Sequence, residues 1–423
     1  MRRIDSHLSF LSFPKPSLNS MKYRYLLLGL AFLLIVGTLM IYLVLTGERN
    51  SPRQSQFARS LDITRLDPAE NMKMGWNPKG LDAVFEYVAT LSTDSMMIVT
   101  DGQIVGAFGN LSKPYNVHSI RKVFLSALVG QHVGADADNV PLNATLQSLG
   151  IDDAPMPLSD VQKSVTVTHL LKSTSGINHP AAAEGGLNAD KNRRLGNGEN
   201  QPGTIWAYNN WDYNALTTIF EERTGLGIPE AFLNGIAEPA GMKDFKIGDV
   251  SYISDFRRSK HRAAMFQMSA RDLATFGQIY LNKGRLDDKQ ILPSSWIERI
   301  VNGYTETGRD DLRWGHSDLW WIPNPKGGFP EGSYWGWGLG NQALFVIPEW
   351  NTVIVLQSDT TEFLKRRTPL INNGEKDAES ILEELILFCF NRSNRQSEYC
   401  IEHRFTTSRE MEKFILLIGE ARI

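Results

Sequence analysis

Apolar residues between positions 81 and 108 follow first a helical and then a strand-like spacing. Residues 81–88 carry apolar side chains at intervals of three and four, which predicts an amphipathic helix. Residues 96–100 and 103–108 are short strand-like runs separated by Asp101 and Gly102, and this dipeptide favours a type I′ turn. The pattern predicts a helix followed by a β-hairpin.

From residue 119 to about residue 300 the spacing of apolar residues is mainly helical. One helix is expected around residues 216–220, ending at Gly225, and another around residues 273–280, between Ser269 and Gly284. The final third differs, because four short strand-like runs are separated by Pro, Gly and Asn, as in an antiparallel meander. These runs are residues 319–322, 334–339, 343–347 and 352–357, and a last helix is expected at 381–386.

Strands at both ends of a helical middle predict an α+β fold. We expect one antiparallel sheet, built from the N- and C-terminal segments and flanked by helices, together with a mainly helical subdomain. A cleft between the sheet and that subdomain would be a natural place for a functional site.

The N-terminal region contains a predicted membrane span. Residues 26–45 are 20 consecutive residues without a charge, long enough to cross a hydrocarbon core. No A-x-A cleavage site follows, which favours an uncleaved signal anchor. Residues 1–25 carry five Lys or Arg and one acid, so the positive-inside tendency places this tail in the cytoplasm and the body of the protein outside it. Met21 is an alternative translation start.

These patterns divide the chain into five parts. The expected parts are a cytoplasmic tail (residues 1–25), a transmembrane signal anchor (26–45), a polar juxtamembrane linker (46–78), a catalytic domain (79–390) and a C-terminal tail without an assigned role (391–423). In the last part, Thr407 and Glu410 are expected to cap a short helix that extends through Ile418.

Composition excludes several classes of function. With 44 Lys and Arg against 47 Asp and Glu, the net charge is −3, which gives no electrostatic case for nucleic-acid binding. Cys389 and Cys400 are the two cysteines, and they lack metal-ligand spacing. They form either one bridge or two unpaired thiols. We expect neither a metal nor a cofactor.

The sequence Ser119-Ile120-Arg121-Lys122 carries the strongest chemical signal. A helix places residues three apart on one face, so Lys122 lies beside Ser119 and can take its proton. For that, the pKa of the lysine must fall from about 10.4 to about 7, a differential of about 4 to 5 kcal/mol that requires a desolvated site. A second S-x-x-K copy, Ser12 to Lys15, contains Pro14 and cannot form a buried helical turn.

Two further blocks follow Ser119 in a fixed order. They are residues 166–176 and residues 202–212, and the second contains Tyr208-Asn209-Asn210. With residues 118–122 they resemble the serine hydrolase superfamily of class C β-lactamases, DD-peptidases and related esterases and amidases. Within it, residues 150–153, 208–212 and 336–342 are most similar to the branch of 6-aminohexanoate-dimer hydrolases.

The resemblance implies roles for four side chains. Ser119 would be the acyl-accepting nucleophile, Lys122 its proton acceptor, and Tyr208 the group that moves a proton to or from the leaving group. Proximity of Lys122 and Tyr208 would lower one or both pKa values. Asn210 would orient the substrate carbonyl or Lys122. Alternatively, Tyr208 packs in a loop with its hydroxyl outward, and Asn210 caps the next helix.

Residues 336–342 depart from the pattern of the superfamily, whose members carry a K-T-G or H-x-G strand in this part of the chain. Where many relatives have Lys or His, this chain has Gly336, followed by Trp337 and Gly338, and these three are the expected substrate-binding residues. A cation at that position binds a substrate carboxylate in the β-lactamases and DD-peptidases, so its absence favours an uncharged or differently charged substrate. The backbone N–H groups of Leu339 and Ser119 would form the oxyanion hole.

Two other groups of residues have two interpretations each. His179 and Glu184 either line the cleft or lie in a surface loop. An aromatic substrate wall and core packing explain a set of four tryptophans equally well: Trp320, Trp321, Trp335 and Trp337.

The sequence therefore predicts a membrane-anchored serine hydrolase that acts outside the cytoplasm on a small-molecule ester or amide. Two alternatives stay open. One is a DD-peptidase or β-lactamase acting on peptidoglycan-type substrates, and the other is a catalytically silent cell-envelope binding module of the same fold.

Overall fold

Apolar strands from distant parts of the chain pair in one sheet. A computed structural model describes residues 62–133, 140–184, 187–308, 314–323, 329–340, 342–361 and 408–423. These residues belong to a single unit, Arg59–Ile423. The predicted membrane span at 26–45 lies outside the described ranges, and within them we find no helix with the length and apolar character needed to cross a membrane.

The elements are numbered along the described residues. The strands are β1 Ile63–Arg65, β2 Ser95–Thr100, β3 Gln103–Gly109, β4 Tyr115–Asn116, β5 Val250–Asp255, β6 Ser259–Met268, β7 Arg285–Leu286, β8 Lys289–Gln290, β9 Trp314–Ser317, β10 Trp320–Pro323, β11 Tyr334–Gly338, β12 Gln342–Ile347 and β13 Thr352–Gln357. The α-helices are α1 Pro68–Lys73, α2 Pro78–Val88, α3 Arg121–Gln131, α4 Asp160–Lys163, α5 Val167–Leu171, α6 Asn188–Leu195, α7 Asn210–Thr224, α8 Ile228–Phe232, α9 Ala270–Leu281, α10 Ser294–Asn302 and α11 Ser408–Ala421. Short 3₁₀ segments cover His118–Ile120, Ile247–Asp249 and Pro348–Trp350.

The main sheet has eight antiparallel strands in the order β1-β3-β2-β13-β12-β11-β10-β9. The predicted hairpin is confirmed, with Thr100 opposite Gln103 and with φ of 50° at Asp101 and 74° at Gly102. The N-terminal strand β2 pairs with β13 along its whole length, from Ser95 opposite Gln357 to Thr100 opposite Thr352. The α+β architecture with a sheet from both terminal segments is therefore confirmed.

Helices on one side of this sheet approach it closely. A Cβ at Gly277 of α9 would lie 2.6 Å from Val353 and 2.9 Å from Leu344, so glycine permits the helix to rest on β12 and β13. The helical layer joins the same core through an aromatic cluster in which Phe124 of α3 contacts the rings of Phe232, Phe266 and Phe276 at centroid distances of 4.8 to 5.1 Å. This packing fixes α3, which carries Lys122.

The predicted helix starts and stops agree with the structure to within a few residues. α7 ends at Thr224 and is followed by Gly225 in the left-handed region, at φ 70°. Ser269 caps α9 by accepting from the N–H of Asp272 at 3.1 Å. α9 ends at Leu281, three residues before the predicted stop at Gly284.

The expectation of a linker through residue 78 is wrong for its last part. β1 pairs with β3, Ile63 opposite Phe108, and is a strand of the main sheet. Asp67 then caps α1, because its carboxylate accepts from the N–H of Ala69 at 2.8 Å and Pro68 stands at the first helical position. The polar, Pro-containing composition of this stretch is that of a helix start.

The mainly helical middle also contains a second sheet, which the sequence analysis did not predict. Its strand order is β4-β6-β5. Buried and exposed residues alternate along most of β6, Ser259–Met268, but the polar Ser259 and His261 occupy buried positions and weaken the apolar–polar alternation. β4 pairs with β6 and leads directly into the segment around Ser119.

The expected C-terminal tail contains a helix that belongs to the domain. α11 packs against α2 and buries one apolar face, which includes Met411, Phe414, Ile415 and Ile418. It extends to Ala421, beyond the predicted end at Ile418. Thr407, the helix predicted at 381–386 and both cysteines lie outside the described residues.

Two neighbouring positions on α11 test how much this helix stabilises the fold. Ile418 is fully buried, whereas Leu416 is 58% exposed. We expect Ile418→Ala to lower the free energy of unfolding by about 2–4 kcal/mol, because a buried side chain is lost, and Leu416→Ala to change it by less than about 0.5 kcal/mol. Urea denaturation measures both values. Equal effects would show that α11 does not pack as described.

Candidate active site

A strained turn presents Ser119. His118 has a φ of 46°, a left-handed conformation that is uncommon outside glycine, and its N–H donates to Asn116 Oδ1 at 2.9 Å. Its Nε2 lies 2.8 Å from Thr360 Oγ1, just beyond β13. The turn directs the chain from β4 into α3 and leaves Ser119 partly exposed at the junction. Sequence reasoning had given His118 no role.

Lys122 lies beside Ser119. Its Nζ donates to Ser119 Oγ at 2.9 Å, so after loss of a proton the same contact places the amine lone pair within proton-transfer distance. The lysine is 3% exposed. Its Nζ also lies 4.8 Å from the ring centroid of Tyr208 and 4.9 Å from that of Tyr213. The amine is therefore held in an aromatic, water-poor environment.

The surroundings of Lys122 favour its neutral form. Burial is the largest cause, and the neighbouring guanidinium of Arg121 adds to it, so that the pKa of Lys122 is lowered well below the usual value for lysine. Glu184 acts in the opposite direction. An unprotonated amine at neutral pH is what proton abstraction from a serine requires.

Tyr208 completes the group around Ser119. Its hydroxyl forms a hydrogen bond with the side chain of Ser119, and burial raises its pKa to about 12 even though this bond and Arg121 act to lower it. One or both of the Lys122 and Tyr208 pKa values were expected to be lowered, and only that of Lys122 is; for Tyr208, desolvation of the phenolate outweighs nearby positive charge. Tyr208 is a neutral phenol, suited to donate a proton.

The loop that carries Tyr208 is fixed by the segment around residue 173. Ser173, at φ 56°, accepts the N–H of Ala207 through its carbonyl at 3.0 Å, and its hydroxyl lies 2.7 Å from that of Tyr213. The N–H of Gly203 donates to the carbonyl of Thr174 at 2.7 Å. Through these bonds, residues 166–176 position residues 202–212, the segment that contains Tyr208.

Asn210 is the first residue of α7 and is 6% exposed. Its Oδ1 is buried and has no hydrogen-bond partner among the residues that the structure describes. The capping function that the sequence left open belongs to Asn209, whose Oδ1 accepts from the N–H of Trp211 at 3.2 Å.

The end of β11 passes close to the nucleophile. A Cβ at Gly338 would lie 2.3 Å from the carbonyl oxygen of Val117 and 3.2 Å from the backbone nitrogen of Ser119, so only glycine permits this approach. Leu339 follows immediately and is partly exposed. Its N–H and that of Ser119 are thus on neighbouring segments.

The position that matches the cation of relatives faces the helix below. A Cβ at Gly336 would meet Val123 at 3.3 Å and Ile120 at 3.5 Å, so a side chain at this position would start among apolar groups. Trp337, the next residue in β11, lies on the opposite face of the sheet and is partly exposed.

The four tryptophans divide between the two interpretations. Trp320 and Trp335 are core residues, since Trp320 stacks on Phe276 at 6.4 Å and Trp335 packs against Phe345 at 4.9 Å. Trp321 stacks on the ring of Tyr208 at 5.8 Å with an interplanar angle of 9°. Trp321 and the partly exposed Trp337 are the two that border the site.

His179 and Glu184 are not on a surface loop. Glu184 forms a buried ion pair with Lys191 at 2.9 Å, and His179 Nδ1 lies 3.1 Å from Asp153 Oδ2. All four side chains are at most 7% exposed, so these contacts fold the segment against the helical layer. In the described ranges, no cluster of His, Cys, Asp and Glu is arranged to hold a metal ion.

His316 is a site neighbour that the sequence analysis missed, because it lies on the unpredicted strand β9. It is 1% exposed and packs beside Trp206 and Trp321. Burial and the nearby Lys122 lower the pKa of His316 to about 3, and its side chain is hydrogen-bonded to the backbone of Lys172. Its ring is neutral at physiological pH and adds no charge beside Lys122.

A serine hydroxyl between a sheet and a helical layer, with a buried amine within hydrogen-bond distance, is characteristic of the serine hydrolases that form acyl-enzymes. The profile of the beta-lactamase family matches residues 81–373, well over half of the chain. The chain belongs to the beta-lactamase family and is a serine hydrolase.

Individual relatives are distant. A protein of Bacillus subtilis (strain 168) named penicillin-binding protein PbpX is 25% identical over 240 residues, which is 51% of this chain and 59% of that protein. The chain thus spans about three fifths of that relative's length.

Solved structures share the fold. One from Bacillus anthracis, named as a 6-aminohexanoate-dimer hydrolase, has a TM-score of 0.50 at 22% identity and covers 70% of this chain and 82% of its own. A penicillin-binding protein homologue from Caulobacter crescentus has a TM-score of 0.51 at 14% identity, covering 70% of this chain and 94% of its own.

The two glycines of β11 offer a matched test of the approach to Ser119. Gly338→Ala introduces a Cβ 2.3 Å from a backbone oxygen, whereas the Cβ of Gly336→Ala has no neighbour closer than 3.3 Å. We expect the first to slow phosphonylation of Ser119 by a fluorophosphonate at least about 100-fold, as for loss of an oxyanion donor, and the second to slow it less than about threefold. Similar rates for both variants would contradict the described strand position.

Proposed function

We propose that the protein cleaves an ester or amide bond through an acyl-enzyme on Ser119. The single observation that supports this most directly is the 2.9 Å contact between Ser119 Oγ and a Lys122 amine that is 3% exposed. A lysine in that setting can be neutral at physiological pH and can accept the hydroxyl proton as the serine attacks.

The proposed reaction has two halves. Ser119 Oγ adds to the substrate carbonyl carbon while its proton moves to Lys122, and the resulting oxyanion is bound by the N–H groups of Ser119 and Leu339. The carbon–oxygen or carbon–nitrogen bond then breaks, with the leaving group taking a proton from Tyr208, which regains one from Lys122. In the second half, water adds to the acyl carbonyl carbon while Lys122 takes its proton, the bond from that carbon to Ser119 Oγ breaks, and the proton passes to Oγ as the carboxylic acid leaves.

Lys122 and Tyr208 have different proposed roles because their surroundings shift their pKa values in opposite directions. The pKa of Lys122 is lowered, so it is the base, and the pKa of Tyr208 is raised to about 12, so it holds its proton until a more basic leaving group forms. The hydrogen bond between Tyr208 and Ser119 keeps the phenol near the reacting atoms.

The substrate is expected to present an uncharged group to β11. Gly336 supplies no cation to bind a carboxylate, and the partly exposed Trp337 offers an apolar surface instead. A small ester or amide meets these conditions better than a carboxylate-bearing peptidoglycan fragment.

Labelling with a fluorophosphonate probe tests the assignment. We expect Ser119→Ala to abolish labelling and Lys122→Ala to slow it at least about 100-fold, because general-base assistance contributes factors of that order. Ser12→Ala and Lys15→Ala, in the second S-x-x-K copy, are the matched controls and should label like the wild type. Labelling that survives in Ser119→Ala would exclude Ser119 as the nucleophile.

A penicillin-type activity is the second candidate, supported by the name of the Bacillus subtilis relative. Acylation of Ser119 by a labelled penicillin at micromolar concentration would favour it. Absence of that acylation, with the fluorophosphonate reaction intact, would favour the ester or amide assignment. Absence of both reactions would favour the silent binding module.

We also propose that residues 26–45 anchor the protein in a membrane, with the hydrolase domain outside the cytoplasm, on the strength of the uncharged 20-residue segment. Replacing Leu34 and Val36 together by Lys costs about 2.5–3.5 kcal/mol per residue at a membrane centre. We expect this double variant to leave the membrane pellet after carbonate extraction, whereas Gly47→Lys, just outside the span, should remain in it. Retention of the double variant would argue against the anchor.

A further inference from the structure

A buried carboxyl group lies one turn after Tyr208, and the proposed mechanism does not use it. Asp212, in the first turn of α7, is fully buried. Its Oδ1 accepts from Ser175 Oγ at 2.6 Å and from Asn209 Nδ2 at 2.8 Å, whereas its Oδ2 has no hydrogen-bond partner in the part of the chain that the structure describes. Burial of such a group is unfavourable unless its contacts compensate for it.

The contacts of Asp212 join two stretches of chain. Ser175 belongs to the segment after α5, and Asn209 caps α7. The side chain of Asn209 also reaches that segment directly, because its Nδ2 donates to the carbonyl of Ile177 at 2.8 Å. All four residues are at most 2% exposed. Asp212 therefore fixes Asn209 against the segment after α5, in a place that is closed to water.

Tyr208 is held by the residues on both sides of it. Before it, the N–H of Ala207 donates to the carbonyl of Ser173 at 3.0 Å, and after it, Asn209 is fixed through its side chain. The ring centroid of Tyr208 lies 4.8 Å from Lys122 Nζ, so a change in the backbone at Asn209 would move the phenol relative to the reacting groups. A displacement of about 1 Å can slow an enzyme about 100-fold.

We propose that Asp212 is a positioning residue that, through Asn209, holds the phenol of Tyr208 where it can protonate the leaving group. The inference rests on the proposed function, in which Tyr208 gives its proton as the bond to the leaving group breaks. Asp212 is too deeply buried to touch the substrate itself. It acts as an acceptor, with one oxygen serving two donors.

This acceptor role does not require a negative charge on Asp212. Burial raises the pKa of its carboxyl group well above the usual value for aspartate, while the bonds from Ser175 and Asn209 act to lower it. An asparagine at this position also offers one oxygen to both donors, and its amide nitrogen would replace an oxygen that has no partner in the described ranges. Asp212→Asn is therefore the conservative variant, and Asp212→Ala removes the acceptor.

A misplaced Tyr208 affects leaving groups unequally. An acidic leaving group departs as an anion, whereas a basic one needs a proton in the transition state. Loss of the acceptor at Asp212 should therefore slow reactions with basic leaving groups and spare those with acidic ones. A purely structural role would slow both kinds of reaction by the same factor.

The test uses two phosphonate probes on the full chain, one with phenoxide and one with 4-nitrophenoxide as the leaving group. In both, Ser119 Oγ adds to phosphorus while Lys122 takes its proton, and the bond from phosphorus to the aryl oxygen breaks. Phenoxide, whose acid has a pKa of about 10 like the tyrosine side chain, takes a proton from Tyr208, which regains one from Lys122. The more acidic 4-nitrophenol leaves as its anion, and the serine proton stays on Lys122.

For Asp212→Ala we expect the rate with the phenoxide probe to fall at least about tenfold, as in Tyr208→Phe, and the rate with the 4-nitrophenoxide probe to stay within about threefold of wild type. Asp212→Asn should stay within about threefold with both probes. Asp272→Asn changes another carboxyl group that is 1% exposed, but one whose oxygens bind residues 243–245, and should leave the ratio of the two rates unchanged. An unchanged ratio in Asp212→Ala overturns the proposal.

A second variant keeps the test decisive if Asp212→Ala does not fold. Asn209→Ser retains a side-chain oxygen that can cap α7 but removes the N–H group that reaches Asp212. We expect the same selective loss with the phenoxide probe, and its absence overturns the proposal. Wild-type protein that labels with neither probe would contradict the proposed function itself. Labelling of Tyr208→Phe at the wild-type rate with both probes would leave Ser119 as the nucleophile and overturn only this inference.

Discussion

The site depends on keeping one amine dry beside one hydroxyl. An exposed lysine is protonated at neutral pH, and transfer of its charged form into a water-poor site is unfavourable by an amount that grows with burial. Lys122, at 3% exposure and 2.9 Å from Ser119, is held where that penalty applies. Two tyrosine rings, a neutral histidine and the glycine-containing strand β11 pack around the amine and the hydroxyl and limit access of water.

Such a site requires support from polar contacts that are themselves buried. The ion pair of Glu184 with Lys191 and the bond of His179 with Asp153 fold a long segment against the helical layer. Breaking one partner of a buried pair leaves an uncompensated charge, which makes these contacts strongly position-determining. The left-handed conformation at His118 adds a local strain that the bonds to Asn116 and Thr360 maintain.

Elements that are determined by neighbouring residues in the sequence could be predicted from local patterns. The helix at Pro78–Val88, the hairpin and the C-terminal strands follow from spacing and turn residues, and the three-residue spacing places Ser119 and Lys122 on one face. The second sheet was missed because polar residues at buried positions of β6, Ser259 and His261, hide its alternation. Asp67 and Pro68, which start α1, were interpreted as linker residues because capping residues also occur in linkers.

Contacts between residues far apart in the sequence, and the burial that results from them, could not be predicted from local patterns. His316 reaches Lys122 only through the pairing of β9 with β10, and the burial of Trp320 as opposed to Trp321 depends on which layer covers each face of the strand. The raised pKa of Tyr208 reflects desolvation, which spacing does not report. Asp212 was passed over because charged residues on helices are usually solvent-facing, and its burial is a property of the assembled domain.

The strand pairing at the centre of the sheet has a consequence for biosynthesis. β2 and β13 join residues 95–100 to residues 352–357, and α11, Ser408–Ala421, packs on α2 near the start of the domain. A ribosome must therefore release nearly the entire polypeptide before the central strands find their neighbours. Contacts of such large sequence separation slow folding and leave apolar strands open to aggregation in the meantime, so this protein is expected to rely on chaperones during its synthesis.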